Sequence, residues 1–129
     1  MFSRLRLIAG IYSIVVGISM FAVWGLYFAN GTVFGVKPVG SGLGFHIAAE
    51  LATAVAMLIG GMGLLARKSW GLKIYFLGLG MLIYALVNSP GYYLPQGGKI
   101  VIAVFASSGV FSLIFVALGL LIGNNETQR

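Results

Sequence analysis

The chain has 129 residues, of which 60% are hydrophobic and only 8% are charged. A water-soluble domain of this size needs more polar surface, so the composition predicts a membrane protein. The net charge of +6 comes from cations beside apolar stretches, which indicates topology signals and not a nucleic-acid surface. With no Cys and one His, disulfides, thiolate chemistry and a four-ligand zinc site are excluded.

Four apolar stretches follow one another and predict an all-α fold, an integral membrane bundle of four transmembrane helices. Each stretch has about the 20 residues that cross a hydrocarbon core roughly 30 Å thick. We expect the first to remain as a helix, because its apolar run is longer than that of a signal peptide. A single domain is predicted over residues 1–129, with spans at approximately 7–28, 45–65, 70–88 and 100–122.

The cations are distributed unequally over the two ends of the predicted bundle. Lys37 and Lys99 lie at the end where the first and third spans finish. The other cations lie at the opposite end: Arg4, Arg6, Arg67, Lys68, Lys73 and Arg129. By the positive-inside rule both termini are predicted to be cytoplasmic, and we expect the protein in a prokaryotic cytoplasmic membrane.

The second predicted helix has two different faces. Residues at helical spacing on one face are polar or small and are expected to face the bundle interior. They are His46, Glu50, Thr53, Met57 and Gly60. The opposite face is bulky and is expected to contact lipid. Its residues are Ile47, Leu51, Val55, Leu58, Met62 and Leu65.

Glu50 is the strongest chemical feature, because it is the only acid within the predicted spans. A carboxylate at membrane depth is costly unless it is paired, hydrated or protonated, so we expect Glu50 to be largely protonated. His46 lies one helical turn earlier on the same face and is close enough to form a hydrogen bond. Trp24, near the end of the first span, is predicted to lie in an aromatic belt at the membrane interface.

Further polar side chains are predicted to converge at the depth of Glu50. Tyr84 and Asn88 share a face of the third helix, and Ser108 lies on the fourth. With Glu50 and His46 they form a predicted ligand-binding pocket, with no catalytic or metal-binding residue. The structural alternative is an internal anchor, with Glu50 bonded to Tyr84 or a Ser hydroxyl and Ser108 bonded back to its own helix or across to a neighbour.

The chain resembles the DoxX-like group of small four-helix membrane proteins. The resemblance covers residues 4–88 and rests on Arg4–Gly10, Ala49-Glu50-Leu51, Gly60–Leu65 and the basic Arg67-Lys68 turn. It implies a quinone-linked or redox-associated subunit, of which the best-known kind belongs to thiosulfate:quinone oxidoreductase. Glu50 is the position to which a functional role would carry over. The chain departs from the group in having no Cys.

Three classes of function fit these features. In the first, the protein binds a quinone- or lipid-like small molecule or is an accessory subunit of a membrane redox complex, with no intrinsic cofactor and a membrane-protein partner that supplies electrons. In the second, it is a proton- or cation-coupled transporter or channel component that acts as a homo-oligomer. In the third, it is a structural membrane module. Binding is favoured over autonomous enzyme activity, and the lipid bilayer is an expected partner.

Overall fold

The computed structural model describes residues 2–32, 40, 42–89 and 99–127. These residues are almost entirely helical, and the all-α prediction is confirmed. The helices are α1 (Phe2–Asn30), α2 (Leu43–Leu65), α3 (Gly71–Asn88) and α4 (Lys99–Thr127). Each is long and apolar enough to cross a membrane, which indicates an integral membrane protein.

Most of the helices are longer than the predicted spans. The first helix runs over Phe2–Asn30 where residues 7–28 were predicted, and the last over Lys99–Thr127 where residues 100–122 were predicted. The spans were drawn from hydropathy alone, whereas helical hydrogen bonding continues into the polar flanks. Only α3 begins later than predicted, at Gly71, with Trp70 in the position before the helix.

The helices pack in chain order around the bundle. Helix α2 packs closely against both α1 and α3, whereas α4 makes looser contacts with α3 and α1. We call the end where α1 and α3 finish the Glu50 end, and the end that holds the turn between α2 and α3 the Arg6 end.

Close backbone approach holds α1 against α2. A Cβ atom added to Gly17 would lie 2.9 Å from the carbonyl oxygen of Ala54, and one added to Gly61 would lie 2.8 Å from that of Gly10. The Ser13 hydroxyl, which is fully buried, donates to the carbonyl oxygen of Met57 at 2.5 Å. Such contacts hold helices together in lipid, where helix association gains little from the hydrophobic effect.

The predicted inner face of α2 is confirmed, because all five of its residues are buried. The predicted lipid face is wrong at three positions. Ile47 is buried beside Trp24, and Leu51 is partly buried against the same cluster. Leu58 lies against Gly17 of α1. These differences arise because α2 has a neighbouring helix on each side, which leaves only a narrow strip for lipid. Val55 and Met62 lie on that strip and are exposed.

At the Arg6 end, α2 finishes in a Schellman motif that α1 reinforces. The Lys68 N–H donates to the carbonyl oxygen of Gly63 at 2.9 Å, and the Arg67 N–H donates to that of Leu64 at 3.2 Å. Arg6 of α1 donates from Nε to the Leu64 oxygen at 3.2 Å and from Nη2 to the Lys68 oxygen at 3.3 Å. A guanidinium here satisfies carbonyls at the negative end of the helix dipole. Sequence analysis treated Arg6 only as a topology signal and missed this contact.

Candidate functional site

Glu50 lies about two turns into α2, roughly 10 Å from the start of the helix, and only 7% of its surface is exposed. Trp24 of α1 donates its indole N–H to Oε2. The Ser89 hydroxyl lies 3.0 Å from Oε1, and Nε2 of His46 lies 3.6 Å from the same oxygen. Three segments of the chain therefore meet at one buried carboxyl group. We call Trp24, His46, Glu50 and Ser89 the carboxyl cluster.

Trp24 occupies a different environment from the interfacial belt that its sequence position predicts. It is 2% exposed, and its ring packs edge-on against Tyr27 and His46 with centroid separations of 5.3 and 6.1 Å. A buried indole N–H requires an acceptor, which Glu50 provides. The belt prediction was wrong because it used the depth of Trp24 but not the rotation of α1 about its axis.

Ser89, directly after α3, lies within hydrogen-bond distance of three groups. Its Oγ is 2.5 Å from the carbonyl oxygen of Ala85, 3.0 Å from Oε1 of Glu50 and 3.1 Å from Nε2 of His46. The hydroxyl has one proton, so it donates to one of these groups at a time. When the hydroxyl donates to the carbonyl oxygen of Ala85, its own oxygen can accept a hydrogen bond. The donor is then a protonated Glu50 or the Nε2–H of His46.

Asn88 orients the His46 ring. With the amide assigned so that Nδ2 faces the ring, this nitrogen lies 3.4 Å from Nδ1 of His46. Donation from Asn88 places the imidazole proton on Nε2, which faces Ser89 and Glu50. Asn88 and Ser89 thus position the imidazole so that it can pass a proton to or from the carboxyl group.

A groove of about 810 Å³ lies between α2 and α3 and includes part of the cluster. Its residues on α3 run from Phe76 to Asn88, about 18 Å along the helix. The Glu50 end of the groove is polar, and the other end is apolar. We call this the α2–α3 groove. It is lined by Gly42, Phe45, His46, Ala49, Glu50, Thr53, Phe76, Leu77, Gly80, Met81, Tyr84, Ala85 and Asn88.

A second cavity, of about 340 Å³, lies among α1, α3 and α4. Glu50 and Trp24 line it, and it continues along α1 as far as Tyr12. The Tyr12 hydroxyl lies 3.1 Å from Oγ of Ser112, and its ring stacks on Phe115 with centroids 3.7 Å apart. We call this the α1–α4 cavity. Glu50 contributes to both cavities and therefore lies between them.

The five residues predicted for the site are divided between these cavities. His46, Glu50, Tyr84 and Asn88 line the α2–α3 groove. Ser108 lines the α1–α4 cavity, where its carbonyl oxygen accepts a hydrogen bond from Ser112. Ser108 therefore shares a cavity with Glu50 but not with His46, Tyr84 or Asn88, so a shared depth in the membrane did not imply one pocket for all five.

The hydrogen-bond partners of Glu50 agree in part with the structural alternative considered from sequence. The Ser hydroxyl of that alternative is present and belongs to Ser89, whereas Tyr84 is 69% exposed at the edge of the groove. Sequence analysis did not identify Ser89 as the serine, and it missed Trp24 as a partner. Ser89 lies one residue beyond the predicted third span, and its side chain is nevertheless buried against Glu50. In the described part of the chain, no three His, Asp or Glu side chains form a metal-binding group.

The fold and this site together define a small helical membrane protein with a buried carboxyl cluster near one end of its bundle. The chain belongs to the family described as Domain of unknown function (DUF8058), which matches residues 3–129. No curated protein and no solved structure matches it. Nothing in these comparisons links the chain to the DoxX-like group, so that resemblance stays a prediction.

Proposed function

We propose that this protein binds a quinone- or lipid-like amphipathic small molecule in the α2–α3 groove, as a binding or accessory subunit of a membrane redox complex. The observation that carries the proposal is the polarity of the groove along its length. His46, Tyr84 and Asn88 line the end near Glu50, and Phe76 and Leu77 line the end toward the middle of the bundle. An amphipathic molecule in a bilayer has the same arrangement, with its head near the interface and its tail toward the centre.

The polar end suits a ligand with carbonyl or hydroxyl oxygens. The Asn88 amide and the Tyr84 hydroxyl can donate to such oxygens, and the His46–Glu50 pair can give or take a proton. The groove is also accessible from the surface of the bundle, because Tyr84 and Leu77 are 69% and 56% exposed. A ligand dissolved in the membrane can therefore enter from the side, without crossing water.

In a redox role, this chain would contribute protons and a binding site. Reduction of a quinone to a quinol adds two electrons and two protons to its oxygens, and His46 and Glu50 are placed to transfer the protons. The electrons would come from a membrane-protein partner, because a chain with no Cys and one His offers neither a Cys-ligated cluster nor a bis-His haem site.

Filling the groove at Gly80 is expected to weaken quinone binding by about tenfold or more. A Cβ added to Gly80 meets no atom within 4 Å, so Gly80→Leu places a side chain in the groove without a clash in the protein. The probe is decylubiquinone, which quenches indole fluorescence at short range. In a Trp70→Phe background, Trp24 is the sole tryptophan and reports on the carboxyl cluster.

Gly25→Leu is the matched control. Gly25 also has open space around it, lies on the exposed face of α1 and does not line the groove. We expect this variant to bind the quinone like the parent. Equal quenching curves for Gly80→Leu and the parent would show that the groove is not the binding site, and an absence of saturable quenching in the parent would rule out this quinone.

We also propose that both termini face the cytoplasm of a prokaryotic cell. Support comes from the cations at the Arg6 end, namely Arg4, Arg6, Arg67, Lys68 and Lys73. Arg129 and Lys37, which entered the sequence prediction, lie outside the described residues.

Labelling of single cysteines in intact cells tests this orientation, and the Cys-free chain gives no background. Asn30→Cys at the Glu50 end is expected to react with a membrane-impermeant maleimide, whereas Ser69→Cys at the Arg6 end reacts only after the cells are opened. Both positions are exposed, so access depends on the side of the membrane. The reverse pattern would overturn the proposed orientation.

A second candidate function is a proton- or cation-coupled transport component that acts as a homo-oligomer. It is favoured by the position of Glu50 between the two cavities. A carboxyl group that lines both cavities can exchange a proton or cation with each of them. This candidate predicts pH-dependent flux in liposomes that Glu50→Gln abolishes, whereas the binding proposal predicts no flux in the parent.

A further inference from the structure

A pocket rich in arginine lies at the Arg6 end of the bundle, whereas the carboxyl cluster lies near the Glu50 end. It has a volume of about 260 Å³ and is lined by Arg4, Arg6, Leu7, Leu64, Leu65 and Arg67. We call it the arginine pocket. Arg6 is held by carbonyl oxygens of the turn after α2. Among the described residues, neither Arg4 nor Arg67 has a carboxylate within 4.0 Å.

The backbone of Arg67 is an independent indication that its side chain has a role. Arg67 has φ of 57°, and it is the only residue other than glycine with positive φ in the described part of the chain. It occupies the position of the Schellman motif where glycine is strongly favoured, because a Cβ is strained there. Glycine would end α2 with less strain, so the helix end alone does not account for an arginine.

The apolar wall of the pocket indicates the source of its ligand. Leu7 and Leu65 line the pocket and are 50% and 40% exposed. The pocket also lies at the ends of two candidate membrane spans, Arg4–Asn30 and Leu43–Leu65. Cationic groups directly beside exposed leucines fit a ligand that is anionic at its head and apolar below it.

We propose that the arginine pocket binds the phosphate headgroup of an anionic phospholipid from the surrounding leaflet. Guanidinium groups bind phosphate through paired hydrogen bonds, and basic pockets between transmembrane helices are a known mode of headgroup recognition. Arg4 and Arg67 contact the phosphate, Arg6 holds the pocket floor against α2, and the acyl chains lie along Leu7 and Leu65. This site is independent of the groove at the Glu50 end.

The test is a thermal unfolding titration of the full-length protein in dodecyl maltoside with dioleoylphosphatidylglycerol. We expect this lipid to raise the unfolding temperature of the parent, and the zwitterionic dioleoylphosphatidylcholine to have little effect. In Arg67→Gly, the unfolding temperature without lipid should equal or exceed that of the parent, because the backbone strain is relieved. Its apparent affinity for the anionic lipid should fall by about tenfold.

Two variants separate pocket binding from other causes. Lys73→Gln removes one positive charge from an exposed position at the same end but outside the pocket, and should respond to the lipid like the parent. Arg4→Gln removes an exposed side chain of the pocket and should weaken the response like Arg67→Gly.

Each opposing result overturns a stated part of the proposal. Equal losses in Lys73→Gln and Arg67→Gly would show general surface attraction. A full lipid response in both Arg67→Gly and Arg4→Gln would show that the lipid binds elsewhere. An equal rise in unfolding temperature with inorganic phosphate at the same concentration would identify a site for free phosphate. A lower unfolding temperature of lipid-free Arg67→Gly would show that Arg67 supports the fold.

Discussion

Glu50→Leu is expected to lower the free energy of unfolding in detergent by about 2–5 kcal/mol. The substitution removes the acceptor of the Trp24 indole N–H, which is buried in the carboxyl cluster. It also removes the group that faces Ser89 and His46. An apolar side chain cannot replace any of these contacts, so polar groups in a water-poor interior lose their partners. Reversible unfolding in mixed micelles measures the loss.

Glu50→Gln is the matched control and should stay within about 1 kcal/mol of the parent. Its side-chain oxygen can accept from Trp24, and its NH₂ group can donate to Ser89 when the Ser89 hydroxyl donates to Ala85. Gln therefore reproduces the hydrogen bonds of a protonated glutamic acid. If Gln destabilises the protein as strongly as Leu, the charge of Glu50 is required and the protonated-acid prediction is wrong. The infrared carboxyl band of Glu50, identified by its loss in the Gln variant, reports the protonation state of Glu50 directly.

The same pair of variants distinguishes the proposed functions. If the protein binds quinone with proton exchange, Glu50→Gln keeps the fold but weakens decylubiquinone quenching of Trp24. If it is a transport component, the parent shows proton or cation flux that Glu50→Gln abolishes. If the carboxyl cluster is purely structural, Gln matches the parent in both assays and only Leu has an effect.

Gly60→Ala is expected to destabilise the protein by about 1–3 kcal/mol, and Gly60→Leu by more. A Cβ at this position would lie 2.7 Å from the backbone nitrogen of Tyr75 and 2.8 Å from its Cα. These are backbone atoms of α3, so no side-chain rotation relieves the clash and the two helices must separate. Thermal unfolding followed by circular dichroism in detergent gives the change.

Gly25→Ala is the control for this prediction, because a Cβ there meets no atom within 4 Å. Alanine favours the helix, so the variant should be unchanged or stabilised by up to about 1 kcal/mol. Equal unfolding temperatures for Gly60→Ala and Gly25→Ala would contradict the close contact between α2 and α3.

Sequence determined the features of this protein that depend on local composition. The number of helices follows from the four apolar stretches, because the hydrocarbon thickness sets their length. The inner face of α2 follows from polar and small residues at helical spacing, and burial of His46, Glu50 and Gly60 confirms it. Glu50 was also evident as a candidate site residue, since one acid within apolar spans stands out without any knowledge of its neighbours.

Only the tertiary structure decided which groups meet Glu50. Helix α1 is almost equally apolar around its circumference, so no pattern in its sequence shows that Trp24 faces inward. Trp24 precedes Glu50 by 26 residues, and Ser89 follows it by 39. Their convergence depends on how three helices are rotated and packed. The same packing places Ser108 in the α1–α4 cavity and not in the groove, and it brings Arg6 to the end of α2, because contacts between helices are set by rotation about their axes and not by depth in the membrane.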